Sequence, residues 1–188
     1  MRAAIRFLRA NADRYDIDPA RFAVWGGSAG GQLAALAALD CGTAPRGEDK
    51  NNPDASDCVQ AGAGWYGVYD FATMPKAAEP RAENRYLDCA PGACTPERIA
   101  AASPAAHVDP RDPPMLLLHG TGDKVVPAGQ TEELATKLRA AKVPVEVKLM
   151  PGIGHSWVGA NPAATRAASL DAINLTFAFF DRTLKGAK

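Results

Sequence analysis

Phe22-Ala23-Val24-Trp25-Gly26-Gly27-Ser28-Ala29-Gly30-Gly31-Gln32-Leu33-Ala34-Ala35 constrains this chain more than any other stretch. A short apolar run meets Gly-x-Ser-x-Gly and passes without a linker into an alanine-rich segment. That is a strand, a sharp turn and a helix in immediate succession, the context in which the motif presents a nucleophilic serine. The turn holds its serine in a strained conformation, so Gly26 and Gly30 are expected to let strand and helix approach without Cβ clashes. Ser28 Oγ would then stand at the carboxyl end of a strand. Its neighbour Ala29 would offer a backbone N–H at a helix N-terminus, one donor for a developing oxyanion.

A hydroxyl needs a base to take its proton and an acid to orient that base. The chain has three histidines. His155 lies in Pro151-Gly152-Ile153-Gly154-His155-Ser156-Trp157, a loop that follows the alternating Val145, Val147 and Leu149. Asp123 lies in Leu118-His119-Gly120-Thr121-Gly122-Asp123, after the apolar run Met115-Leu116-Leu117-Leu118. Each residue thus sits just past a predicted strand, and the order is Ser28, Asp123, His155. Asp109 and Asp112 are alternative acids. His107, in an irregular segment, and His119, at a strand end, read as structural. A histidine base fails once protonated, so activity is expected to fall below roughly pH 6.5.

The rest of the chain alternates. Residues 1–21 read as one helix and a turn, with Ile5, Leu8 and Ala12 on one side. Strand 22–27, helix 29–39, strand 59–66, strand 115–119, helix 129–141, strand 145–150 and a helix near 164–184 follow. Leu134, Leu138 and Ala141 form one apolar stripe, with Glu133 and Lys137 paired outside it. Leu170, Ile173, Phe177, Phe180 and Leu184 form a second. Such alternation predicts a mainly parallel sheet covered by helices on both faces. Residues 40–58 read as a loop, and the proline-rich residues 71–105 as an irregular segment.

These segments resemble an α/β-hydrolase of the carboxylesterase type, close to the feruloyl/acetyl-esterase-like and hormone-sensitive-lipase-like groups. The resemblance rests on Val24-Trp25-Gly26-Gly27-Ser28-Ala29-Gly30-Gly31, on Leu118-His119-Gly120-Thr121-Gly122-Asp123 with Val126-Pro127, on Gly152-Ile153-Gly154-His155, and on Trp65-Tyr66-Gly67-Val68-Tyr69-Asp70. It runs from about Asp16 to the end. It implies the C-terminal portion of an α/β-hydrolase fold, residues 1–188 forming a single domain N-terminally truncated relative to the family. It also implies a serine hydrolase acting on small-molecule esters: Ser28 attacks, His155 shuttles the proton, Asp123 orients His155 and Ala29 lends an oxyanion-hole N–H. Gly27 is expected at the substrate pocket, Trp157 either lines it or simply packs, and the resemblance implies that residues 71–105 are a lid or pocket-lining insertion. Residues 1–21 match no His-Gly-Gly-type oxyanion loop. Two other readings stay open, a prolyl-oligopeptidase-like peptidase and an inactive fragment. The small residue Ala29 after the serine leans toward esterase.

Composition removes other classes. Twenty-one basic residues balance 21 acidic ones, so neither nucleic acid nor an acidic membrane surface is an expected partner. No apolar run approaches a membrane span, and no metal-ligand spacing or cofactor motif is present, so none is expected. The four cysteines bracket the two loops, which favours Cys41–Cys58 and Cys89–Cys94 disulfides and an oxidising compartment, secreted or periplasmic. No signal peptide is seen. Asn174-Leu175-Thr176 falls on a predicted helix and reads as a chance glycosylation match. With no strand predicted before residue 22, strand 22–27 becomes a sheet edge, through which a homodimer can form.

Overall fold

The computed structural model describes residues 1–43, 51–75, 82–90 and 92–185. Four parallel strands form one sheet in the order β1-β2-β3-β4: β1 Ala23–Gly27, β2 Ala61–Trp65, β3 Met115–Gly120 and β4 Val145–Met150. The registers place Trp25 beside Ala63, Gly62 beside Met115 and Met115 beside Val145. The helices are α1 Arg2–Ala10, α2 Ala12–Tyr15, α3 Ala29–Leu39, α4 Ala82–Tyr86, α5 Pro96–Ala102, α6 Gly129–Ala140 and α7 Pro162–Lys185.

The period of two along β3 sorts the core into two layers. Met115 and Leu117 point to the face covered by α1, α3 and α6, where they pack with Ile5, Ala34, Ala38, Leu134 and Leu138. Leu116 and Leu118 point to the opposite face and pack with Trp65, Trp157, Ala168, Ala172 and Phe179 beneath α7. Strands buried on both faces read as continuous apolar runs, as β3 does. Helix α3 has five alanines and two glycines among its 11 residues, small side chains that let it lie close on β1 and β2. A Cβ on Gly31 would stand 2.7 Å from the Trp65 carbonyl oxygen.

Several expectations change. The first 21 residues hold two short helices, which part at Asn11, and the second ends where Asp16 turns left-handed at φ 52°. Ile5 and Ala12 are buried there, but Leu8 is exposed. On α7, Leu170 and Phe177 are also exposed, and the buried positions are Ala168, Ala172, Thr176 and Phe179. Small residues let the helix approach the sheet, while Phe179 is buried and Ile173, Phe180 and Leu184 pack partly buried against the core. Thr176 is fully buried and accepts the Trp65 indole N–H at 3.0 Å. The segment 71–105 is not wholly irregular. It carries α4, then α5 with the Thr95 side chain capping the Arg98 N–H and Pro96 at the first helical position, then a 3₁₀ turn at Pro104–Ala106. Residues 44–50, 76–81 and 91 of the two loop regions lie outside the described residues.

Cys41 is joined to Cys58, and Cys89 to Cys94. The first bridge ties the end of α3 to the residues before β2. Nearby, Arg2 and Arg6 pair with Asp57 and fasten α1 to the same segment.

Burial raises the Asp112 carboxyl to about 6, with the Asp109 charge adding to it against the Asp109 N–H, which lowers it. The folded state therefore binds the extra proton between the ordinary aspartate range and about 6, and stability falls as pH rises through that window. Asp112→Asn removes this cost and keeps an oxygen for the Asp109 N–H. Discounted for its half-exposed position, the gain at pH 7.5 is about 1 kcal/mol and vanishes near pH 4. Urea unfolding of both chains at the two pH values checks it. An equal difference at both would remove the ionisation argument.

Candidate active site

Ser28 occupies the turn between β1 and α3 at φ 55°, ψ −123°, outside the regions a serine ordinarily adopts. Its N–H donates to the Trp65 carbonyl at 2.9 Å, which ties the turn to the end of β2. Gly26 is where this corner needs glycine, since a Cβ there would stand 2.2 Å from the Gly30 carbonyl oxygen. Gly30 does not share the need: a Cβ on it would meet nothing within 4 Å. The second crowded partner is Gly31.

His155 stands at the start of a short 3₁₀ turn after β4, and its Nε2 is 2.9 Å from Ser28 Oγ. Its Nδ1 donates to Asp123 Oδ2 at 2.7 Å. The Asp123 carboxylate is fully buried. Its other oxygen accepts the backbone N–H groups of Val125 and Val126 at 2.8 and 2.9 Å. A buried anion is tolerated only with such donors around it. The proton on Nδ1 leaves the Nε2 lone pair facing the serine hydroxyl, the polarity required to accept its proton. The loops carrying the acid and the base touch as backbones. A Cβ on Gly120 would stand 2.1 Å from the Ile153 carbonyl oxygen, and the Gly122 N–H donates to that oxygen. Asp109 instead pairs with Arg111. His107 faces Asp40 and the carbonyls of Ala100 and Ala101.

Ala29 is the first residue of α3, so its N–H belongs to the amides that a helix leaves without an internal acceptor. Gly27 ends β1 with the Tyr66 hydroxyl packed on it, at 2.8 Å from where a Cβ would be. Trp157 does not face open space. It is 3% exposed and packs edge-on against Trp65 and Tyr66, with ring centroids 5.3 and 4.8 Å away. Ser156 and Trp157 are both left-handed, at φ 57° and 63°, and the Trp157 ring is buried in the core.

Tyr66 went unsingled by sequence reasoning. It follows β2 at φ 37°, and its ring meets the His155 imidazole edge-on at 4.8 Å. Burial pushes its hydroxyl above the usual tyrosine range. Apart from its place directly after a strand, no local signal marks it. Among the described residues, no group of three or more His, Cys, Asp or Glu side chains is arranged to hold a metal, and no helix is long and apolar enough to cross a membrane.

Residues 1–138 match the BD-FAE family. "Probable carboxylic ester hydrolase LipM" of Mycobacterium tuberculosis is 32% identical over 177 residues, 91% of this chain and 41% of that protein. "Esterase LipQ" of the same organism is 33% identical over 166 residues, 84% of this chain and 38% of its own length. The chain therefore spans about two fifths of the curated relatives it matches. Among solved structures, a truncated carbohydrate esterase from gut microbiota superposes with a TM-score of 0.80 at 27% identity, covering 98% of this chain and 67% of that one. A thermophilic esterase of Thermogutta terrifontis shares the fold, with a TM-score of 0.76 at 24% identity over 96% of this chain and 61% of that one.

Proposed function

The chain belongs to the BD-FAE family of α/β-hydrolase proteins, and on that premise we propose that it hydrolyses small carboxylic esters through an acyl-enzyme on Ser28. One observation carries the reading: Ser28 Oγ, His155 and Asp123 form a continuous hydrogen-bonded relay, 2.9 and 2.7 Å long, on a strained turn. The names of the relatives, esterases and ester hydrolases, support an ester over a peptide bond.

His155 Nε2 takes the Ser28 proton as Oγ bonds to the acyl carbon. The carbonyl oxygen becomes an oxyanion within reach of the Ala29 N–H, a donor of a kind whose loss costs about 2.7–4 kcal/mol. The intermediate collapses, the carbon–alkoxide bond breaks, and His155 returns the proton to the departing alcohol. Water, deprotonated by His155, then releases the acid and restores Ser28. Asp123 holds the Nδ1 proton throughout.

Incubation with a fluorophosphonate, read by intact mass, tests the assignment. The unsubstituted chain is expected to gain one adduct and Ser28→Ala none. A folded chain without an adduct would leave the inactive-fragment reading. Hydrolysis of a proline-peptide amide at a rate matching the ester would favour a peptidase.

A homodimer through the β1 edge belongs to the same proposal. Among the described residues β1 pairs with β2 alone. Its exposed Trp25 packs edge-on against Trp65 and Phe177, Phe177 being exposed as well. Sedimentation at micromolar concentration is expected to show a dimer that Trp25→Lys dissociates. A monomer in both cases would remove this part.

A further inference from the structure

His119, next to last in β3, is fully buried, yet the relay just described does not use it. Its Nδ1 lies 2.7 Å from Thr131 Oγ1, itself fully buried on α6. Its Nε2 lies 3.0 Å from the Val126 carbonyl oxygen and 3.3 Å from Asp123 Oδ2. A carbonyl oxygen has no proton to give, so Nε2 must carry one. Burial keeps His119 below the usual histidine range, so the ring is neutral and its Nδ1 lone pair accepts the Thr131 hydroxyl proton. The ionisable groups that act on it are Asp123 and His155. The oxygen that His119 approaches is Oδ2, the one that His155 uses.

We propose that His119 is a positioning residue of the relay: Thr131 and Val126 fix its Nε2–H beside Asp123 Oδ2, where it holds the carboxylate plane and tempers the charge that this oxygen presents to His155. The inference rests on the hydrolase reading for its catalytic consequence, but its geometry stands apart from it. Oδ1 is fixed by two backbone amides, whereas Oδ2 has the two imidazoles. Without the His119 N–H, Oδ2 carries more charge and stabilises the His155 imidazolium more strongly. His155 then stays protonated, and unable to act as a base, up to a higher pH.

The test compares the full chain with His119→Met, which removes the N–H, and His119→Gln, whose amide can replace it. The rate of Ser28 labelling by a fluorophosphonate is followed between about pH 5 and 9. In His119→Met the midpoint of the rate is expected to move up by roughly one pH unit. In His119→Gln it should stay within a few tenths of the starting chain. A side chain that merely fills the core would lower the folded fraction without moving the midpoint. An unmoved midpoint in His119→Met, or equal movement in both variants, overturns the proposal.

Imidazole NMR of the unsubstituted chain covers the case in which His119→Met does not fold. His119 should remain neutral with its proton on Nε2 over that range, and its Nε2–H resonance should shift as His155 titrates. A proton on Nδ1, or a resonance indifferent to His155, overturns the assignment. If the unsubstituted chain takes no label, the hydrolase reading fails while the NMR still decides the role of His119.

Discussion

An Asp123→Asn chain is expected to turn over a p-nitrophenyl ester about 10⁴-fold more slowly than the parent, with little change in KM. The backbone geometry explains why so small a substitution has so large an effect. The Val125 and Val126 N–H groups claim one oxygen of residue 123, so an asparagine must place its carbonyl there. Its NH₂ then takes the position of Oδ2, facing His155 Nδ1. Two donors cannot share that 2.7 Å contact, so the imidazole moves its proton to Nε2. That proton points at Ser28 Oγ, and the base has become a donor. The substitution also sets a donor against the His119 N–H, which adds local cost but not a general loss of fold. Initial rates over a range of ester concentrations, beside the near-UV spectrum of each chain, check the expectation. A loss below tenfold in a folded variant would mean that Asp123 does not set the His155 tautomer.

What could be read from the sequence followed from how local each signal was. The turn at Ser28 needed a strand, small residues and a helix within fourteen consecutive positions, so it was legible, and α3 runs over Ala29–Leu39 as the residues indicate. Asp123 and His155 were legible because one follows the apolar run that becomes β3 and the other the alternating stretch that becomes β4, and parallel strands bring such loops to one end of the sheet. The burial of α7 was legible in part: Ile173, Phe180 and Leu184 pack against the core as their spacing indicates, whereas Leu170 and Phe177 are exposed. Large side chains at helical spacing mark an apolar face, but contact with the sheet selected Ala168, Ala172 and Thr176, because small residues let the backbones approach. Helix α5 had a readable start in Thr95 and Pro96, hidden by the proline content around it. Tyr66 and His119 were beyond local reading. Their partners, His155 and Thr131, come to them only through tertiary packing.

Gly26→Ala and Gly30→Ala should have opposite effects, although both glycines belong to the same five-residue motif. A methyl at Gly26 meets the Gly30 carbonyl oxygen at 2.2 Å. Both sides of that contact are backbone, so no rotamer relieves it, and α3 must tilt off β1. Overpacking of this kind costs about 1–3 kcal/mol, occasionally more. The tilt also carries the Ala29 N–H and Ser28 Oγ away from their places, so Ser28 labelling should slow at least tenfold, as a misplaced nucleophile requires. A methyl at Gly30 meets nothing within 4 Å, and the residue already lies in the first turn of α3. There alanine gains the helix propensity that glycine lacks, up to about 1 kcal/mol. Urea unfolding of the two variants beside the parent decides it. Equal destabilisation by both would mean that the motif needs glycine for backbone freedom throughout. Opposite signs would locate the need at one contact, where strand β1 and helix α3 meet beneath the serine.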